Sequence, residues 1–299
     1  MSNRRRKLTL RPRPGGFGEL PAPDDPWLPR LVSVDGVSGK PRWWVQVPPG
    51  LAAPPVRARH AAATHVGLRR RRNEDVAYAD SHRGLYVVCD GVGGRPHGDI
   101  AAMEAAEAIQ GWIGVARPLD AAAWAEDAVA DASRLVYESL QCAAQALHRR
   151  ACDDPGLSQM STSASMVLVQ GNFAVIGQVG DSRVYLARGE QLIQLTEDHT
   201  LRSAMLRGGY TWTDTTRRSA LARSIGCRPT VAADVMALPL VAGDRLLLCT
   251  DGLHSTLTED DLLALFELDV ADAALAAIRR ANALGGPDNV TAIFVELAA

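Results

Sequence analysis

The sequence predicts an α+β fold in which strands and helices form separate layers. Six short segments, rich in β-branched residues and bounded by Gly, Asp or Asn, are predicted strands: 85–90, 163–170, 173–181, 183–188, 245–252 and 290–297. Helical patterns occur between them in pairs instead of one after each strand. Grouped strands with paired helices favour a layered sandwich over alternating βαβ units.

Four helices are predicted from the spacing of apolar residues. The first two begin near Asp99 and Asp120, since aspartate is a common N-cap, and both are rich in alanine, the strongest helix former. A shorter pair, 259–267 and 270–283, precedes the last strand and ends near Gly285.

Proline separates the first 55 residues from the rest of the chain. They hold 11 of the 17 prolines, and six basic residues precede the first acid, Glu19. Because proline fixes φ and lacks an N–H donor, this segment cannot be continuous helix or central strand. We predict a basic, partly flexible N-terminal extension over residues 1–55, with a candidate hairpin at 31–47, and one folded domain over 56–299.

Composition narrows the class of protein further. A chain of 299 residues, 47 % of them hydrophobic, can bury one sizeable core, and its formal charge of −2 predicts no nucleic-acid partner. Its five cysteines form no CxxC pair, which fits a reducing compartment, so a cytoplasmic location is expected. No apolar stretch approaches the ~20 residues of a membrane helix, so no membrane span is expected.

Carboxylates stand at the ends of several predicted strands. They are Glu74, Asp75, Asp90, Asp181, Asp251 and Asp288. Any one of them alone is an ordinary turn former. Together, buried strand ends would bring them close, where carboxylates repel unless protons or cations compensate. All-oxygen ligation favours Mg²⁺ or Mn²⁺ over zinc, so the sequence predicts a metal site.

Two neighbouring features suit a site for metal and phosphate. Gly91 has no side chain, so its carbonyl can approach a metal that Asp90 holds. The alternative for DGVGG, a dinucleotide-binding loop, is weak because Pro96 stands where the last glycine belongs. The run Arg69–Arg72 is by itself typical of a solvated or nucleic-acid-facing patch, yet a guanidinium beside an acid cluster can grip two phosphate oxygens.

Seven motifs follow one another from about His60 onward. They are THVGLRRRRNED, VVCDGVGG, MSTSASMVLV, VGDSRVYLARGEQLIQLTEDHT, ARSIG, GDRLLLCTDGL and GGPDNVTAIFVEL. In this order they resemble the metal-dependent protein phosphatase (PPM, or type 2C) family of serine/threonine phosphatases in its bacterial form. The resemblance implies a phosphatase domain over 56–299. It also implies a four-layer αββα fold, a β-sandwich of two antiparallel sheets flanked by helix pairs, with metals at one end.

The resemblance also implies roles for the acids and the arginine. Asp90 would bridge two metal ions and Gly91 would give its carbonyl to one, while Asp251 and Asp288 would complete the other. Asp75 and the neighbouring Glu74 would hold the metals directly or through water. Arg70 matches the phosphate-binding arginine, so Arg70, Asp75 and Asp90 are the residues expected to carry catalysis.

Three departures from the family pattern limit these expectations. A third metal would use Asp181, but Ser255 stands near the position of its second acid, so we expect a weak or differently completed third site. The histidine proposed elsewhere as general acid is replaced by Val92, and the bacterial DGxGGH histidine by Arg95, with His97 two residues on. The usual GTT block reads Ser161–Ser163, a change expected to affect packing or hydrogen bonds.

The implied activity is hydrolysis of phosphoserine and phosphothreonine on proteins by water that two Mn²⁺ or Mg²⁺ ions activate. Phosphorylated proteins and a serine/threonine kinase are the expected partners, and a monomer is the expected state. Two alternatives stay open. A pseudophosphatase would bind phosphoproteins without turnover and predicts loss of metal-site acids. An interaction module would depend on residues 1–55.

Overall fold

A computed structural model describes residues 9–11, 30–32, 56–92, 97–115, 126–210 and 220–299 of the chain. The strands are β1 Thr9–Arg11, β2 Arg30–Val32, β3 Arg57–His65, β4 Asp75–Asp80, β5 Leu85–Asp90, β6 Ala164–Gln170, β7 Phe173–Val179, β8 Arg183–Arg188, β9 Gln191–Gln194, β10 Asp234–Pro239, β11 Arg245–Cys249 and β12 Val290–Ala298. The helices are α1 Gly98–Val115, α2 Glu126–Asp153, α3 Leu201–Arg207, α4 Asp251–His254, α5 Glu259–Leu265 and α6 Val270–Ala283.

The strands form two six-stranded sheets that pack face to face. The first has the order β1-β9-β8-β11-β12-β3 and the second β2-β10-β7-β6-β5-β4. Apart from the parallel β1–β9 pair, neighbouring strands are antiparallel. Helices α1 and α2 cover the second sheet, and α4 to α6 cover the first. The predicted four-layer sandwich is confirmed.

Strand β5 shows why its sequence is apolar without interruption. Leu85, Val87 and Cys89 face the helical layer of α1 and α2, whereas Tyr86 and Val88 face the opposite sheet. Successive side chains of a strand point to opposite faces, and here both faces are covered. The strand therefore buries every side chain before its final aspartate and delivers that carboxylate to the end of the sandwich.

All six predicted strands are present, and the predicted helices near Asp99, 259–267 and 270–283 are confirmed as α1, α5 and α6. Helix α2 is described from residue 126, so the expected cap at Asp120 lies outside the described residues. Strands β1, β3, β9 and β10 were not predicted. No helix in the ranges given above is both long and apolar enough to cross a membrane.

The N-terminal extension contributes two short edge strands. Strand β1 pairs with β9 at one edge, and β2 pairs with β10 at an edge of the other sheet. The candidate hairpin over 31–47 falls almost wholly outside the described residues. The boundary near residue 55 stays a prediction.

Gly177 of β7 lets α2 lie close to the second sheet. A methyl group at this position would come within 2.7 Å of Val136 and 2.9 Å of Leu140, both on α2. We therefore expect Gly177→Ala to lower the free energy of unfolding by about 1–3 kcal/mol through overpacking. Gly111→Ala is the control, since nothing lies within 4 Å of its added methyl and the change suits a helix. The free energy of unfolding is measured in urea. A Gly177→Ala variant as stable as the parent would show that α2 does not lie this close to β7.

Candidate metal centre

Acids from both sheets meet at one end of the sandwich. Asp75 opens β4 and Asp90 closes β5, and the register of this antiparallel pair places them directly opposite each other. Opposed residues of such a pair point to the same face. Asp251 follows β11 at the first position of α4, and Asp288 lies two residues before β12.

Two threonines of the first sheet hold Asp75 of the second. The hydroxyls of Thr250 and Thr291 donate to Asp75 Oδ2 at 2.8 and 2.7 Å. The Thr291 hydroxyl lies 2.8 Å from that of Thr64, which accepts from Asn73 Nδ2 at 2.8 Å. Since the Thr291 proton goes to Asp75, Thr64 donates to Thr291, and the bonds form one directed chain across the sheets.

The block Ser161–Ser163, which stands in place of GTT, fixes the backbone of Asp90. The Asp90 carbonyl accepts from the Thr162 hydroxyl and the Ser163 amide, both at 2.8 Å. The Asp90 amide donates to Ser163 Oγ at 3.2 Å, and that oxygen lies 2.8 Å from Ser182 Oγ. Hydrogen bonding therefore accounts for Thr162 and Ser163, and both act on the expected bridging ligand.

Gly91 meets the first residue of α1. A methyl group on Gly91 would lie 2.4 Å from the carbonyl oxygen of Gly98, so no other residue fits. The Gly91 amide donates to the Glu74 carbonyl at 3.0 Å. The close contact with Gly98 therefore requires glycine at position 91. From the sequence alone we expected glycine for a different reason, that its carbonyl can approach a metal ion.

Arg70 lies next to the carboxylate of Asp288. Its Nη2 donates to Asp288 Oδ2 at 2.7 Å, and the Arg70 side chain is 38 % exposed. The other oxygen of Asp288 accepts from the Asn289 amide at 2.8 Å. The arginine expected to bind phosphate is therefore beside an expected metal ligand and open to solvent.

Asn289 was missed by the sequence reasoning, although it follows Asp288 directly. Its buried Oδ1 accepts from the Glu74 amide at 2.9 Å, and its Nδ2 donates to the carbonyls of Val66 and Arg72 at 2.9 and 2.8 Å. Three bonds from one side chain therefore hold both ends of the arginine loop against the start of β12.

The clustered carboxylates shift one another's pKa values upward. Burial raises the pKa of Asp75 to about 7, against the opposing effect of its two hydroxyl donors. Burial, and then the charges of Asp75 and Asp251, raise the pKa of Asp90 well above its usual value. Burial and then Asp288 also raise the pKa of Asp251. The positive groups near this end of the sandwich therefore do not balance the negative charge of the carboxylates.

Asp181 stands at the margin of the cluster. Burial and then the charges of Asp251 and Asp198 raise its pKa to about 8. Its carbonyl accepts from Nε2 of His254 at 2.9 Å, a residue that the sequence reasoning passed over. Burial and then Arg183 lower the pKa of His254 to about 4, so this ring is neutral at pH 7.

Of the remaining sequence candidates, Glu74 belongs to the site through its backbone bonds to Gly91 and Asn289. Ser255 is exposed, and Glu74 has a pKa raised by burial and then by the charge of Asp99. His97 is exposed with a φ of 67°, just before α1. Arg95 lies outside the described residues.

The donor set fits a hard divalent cation. It consists of carboxylates whose pKa values are raised by burial and then by repulsion, and oxygen ligands of this kind suit Mg²⁺ or Mn²⁺. Within the part of the chain that the structure describes, no three His, Cys, Asp or Glu side chains form a ready-made ligand cage.

Comparison with known proteins gives the family. The sequence profile of protein phosphatase 2C matches residues 68–280, which is more than half of the chain. The chain belongs to the protein phosphatase 2C family. All the acids of the cluster except Asp288 lie inside the matched range.

Two bacterial proteins are similar to this protein phosphatase 2C member. It is 29 % identical over 246 residues to the serine/threonine phosphatase stp of Listeria monocytogenes, covering 78 % of this chain and 93 % of that protein. It is 30 % identical over 244 residues to the serine/threonine protein phosphatase PstP of Mycobacterium tuberculosis, covering 80 % of this chain and 45 % of that protein.

Solved structures agree with the fold of this protein phosphatase 2C member. The M. tuberculosis PstP/Ppp structure matches with a TM-score of 0.72 and 28 % identity, over 82 % of this chain and 100 % of that one. The PstP catalytic domain solved with two manganese ions matches with a TM-score of 0.70 and 27 % identity, over 82 % and 99 %.

The bonds of Asn289 predict a change in loop protection. Asn289→Ala removes all three, so we expect hydrogen exchange over residues 66–74 to become faster while 164–179 keeps its rate. The β6–β7 hairpin in that second range is the internal control. Unchanged exchange over 66–74 would show that Asn289 does not hold the loop.

The raised pKa of Asp181 predicts a pH dependence of stability in chelator. The folded protein keeps a proton there up to about pH 8, whereas an unfolded aspartate releases it near 3.8. This contribution to the free energy of unfolding is therefore full below about pH 4 and is lost as pH rises to about 8. In EDTA, Asp181→Asn should make the melting temperature fall less steeply with pH over this window. Asp131→Asn, at an exposed position of α2, should leave the slope unchanged. Equal slopes in Asp181→Asn and the parent would refute the shift.

Proposed function

We propose that this chain is a serine/threonine protein phosphatase, a hydrolase of phosphoserine and phosphothreonine in proteins. The observation that carries the proposal is the carboxylate cluster of Asp75, Asp90, Asp251 and Asp288 beside the solvent-open guanidinium of Arg70. The family membership and the activity named for its Listeria and Mycobacterium relatives support the same function.

Two Mn²⁺ or Mg²⁺ ions are the proposed cofactors. The PstP catalytic domain was solved with two manganese ions, and the acid cluster here offers oxygen ligands of the same hard type. Bound divalent ions supply Lewis acidity, which lowers the pKa of water and neutralises charge on a phosphoryl group. Asp90 would hold both ions, the Gly91 carbonyl would serve one, and Asp251 and Asp288 would serve the other.

The chain's own residues orient these ligands and the substrate. Asp75 would act as a ligand whose Oδ2 is fixed by two hydroxyl donors, with Glu74 next to it. Arg70 would donate two parallel hydrogen bonds to phosphoryl oxygens, since a guanidinium is planar and forked. The ion pair between Arg70 and Asp288 is partly exposed and therefore weak. Arg70 can leave it and turn toward an incoming phosphate at a small cost in free energy.

Asp181 is proposed as the ligand of a weaker third site. It is buried next to the charges of Asp251 and Asp198, while Ser255 is exposed. His254 is positioned on the Asp181 backbone. The general acid stays unassigned.

The pseudophosphatase alternative predicted loss of metal-site acids, and no observation favours it. Proteins phosphorylated on serine or threonine are the proposed substrates, and a serine/threonine kinase is the proposed opposing partner in signal transduction. A cytoplasmic location is proposed because the five cysteines form no CxxC pair, which fits a reducing compartment. The monomeric state stays a prediction.

The function is tested by metal-dependent release of phosphate from a phosphothreonine peptide. Activity should require added Mn²⁺ or Mg²⁺, vanish in EDTA, and fall at least ~100-fold in Asp90→Asn, because an amide cannot replace a bridging carboxylate. Asp131→Asn should retain parent activity, and circular dichroism should show both variants folded. Full activity in chelator, or in Asp90→Asn, would reject the proposal.

A further inference from the structure

A rim of exposed apolar and basic side chains borders the carboxylate cluster. It consists of Leu68, Arg69, Arg71 and Leu284, which we call the rim. Leu68 is 61 % exposed and Leu284 46 % exposed, and with the two exposed arginines they form a mixed apolar and basic surface.

The two halves of the rim belong to one packed unit. The Leu68 amide donates to the Gly286 carbonyl at 2.8 Å. Gly67 has a φ of 76°, and a methyl group there would lie 2.0 Å from the Asp288 carbonyl oxygen. The loop that carries Arg70 therefore lies directly on the loop that carries Asp288, and the backbone fixes the rim beside both.

The arginines of this loop are not equivalent. Arg70 pairs with Asp288 at 2.7 Å, and Arg72 lies 3.9 Å from Asp99. Within the ranges that the structure describes, neither Arg69 nor Arg71 has an ion-pair partner. Both are exposed, so their charges are available to a negatively charged partner.

We propose that the rim binds the polypeptide next to the phosphorylated residue and selects substrates with an apolar and an acidic side chain there. The proposal rests on the proposed function, since Arg70 must hold the phosphate. An extended peptide advances about 3.3–3.6 Å per residue, so side chains within a few positions of the phosphate reach the neighbours of Arg70. Leu68 and Leu284 suit the apolar side chain, and Arg69 and Arg71 suit the acidic one.

The experiment compares a small substrate with two phosphothreonine peptides in Mn²⁺. One peptide carries Leu and Glu within three positions of the phosphothreonine, and the other carries Ser and Gln instead. The parent should hydrolyse the first with a kcat/KM about 10-fold higher, which corresponds to about 1.4 kcal/mol. p-Nitrophenyl phosphate, which has no flanking chain, reports the metal centre alone.

Variants divide the preference into its two parts. Leu68→Ser with Leu284→Ser should raise the KM for the Leu/Glu peptide about 3–10-fold, and Arg69→Gln with Arg71→Gln should reduce the preference for that peptide and remove its salt dependence. Their kinetics on p-nitrophenyl phosphate should stay within twofold of the parent. Leu275→Ser, at a side chain 51 % exposed on α6, is the matched control and should change nothing.

Several outcomes would overturn the proposal. These are a parent that does not distinguish the peptides, rim variants that lose activity on both substrate types equally, and a control variant that loses as much as the rim variants. Rim-dependent binding to phosphatidylserine vesicles with unchanged peptide kinetics would assign the rim to a membrane instead. A parent inactive on all three substrates would reject the phosphatase function itself, which separates that failure from failure of the rim.

Discussion

The hydrogen bonds from Thr250 and Thr291 to Asp75 join the two sheets at the end where the acids collect. Asp251 is the residue after Thr250, and Asp288 lies three residues before Thr291. The same bonds that hold Asp75 therefore fix where the acids of the first sheet stand relative to the Asp75–Asp90 pair. A buried carboxylate needs such donors, because its desolvation is otherwise unfavourable.

This arrangement leaves an electrostatic demand that a divalent cation can meet. Burial and then the charges of neighbouring carboxylates, Asp288 among them, raise the pKa values of Asp75, Asp90 and Asp251, and a bound cation would offset that repulsion. The like charges stay close together despite their repulsion because hydrogen bonds hold the acids and the backbone around them. Thr162 and Ser163 fix Asp90, and the sandwich core supplies the stability that the site itself lacks.

Much of the fold and of the cluster could be predicted from sequence. Uninterrupted apolar strands such as β5 indicate a sheet covered on both faces, and their terminal aspartates indicate a shared site. Strand β3 was missed because its sequence RARHAAATH is rich in alanine and has a single β-branched residue, Thr64; its pairing with β12 decides its conformation. Asn289 and Thr250 escaped notice because their partners, Arg72 and Asp75, are more than a hundred residues away. Gly91 drew attention for its carbonyl, whereas its contact with Gly98 depends on the packing of α1.

Anomalous diffraction from crystals grown with Mn²⁺ would locate the ions without reference to activity. We expect two manganese peaks that share the carboxylate of Asp90, one of them also within ligand distance of Asp251 and Asp288. Manganese bound elsewhere, or no peak in contact with Asp90, would contradict this arrangement.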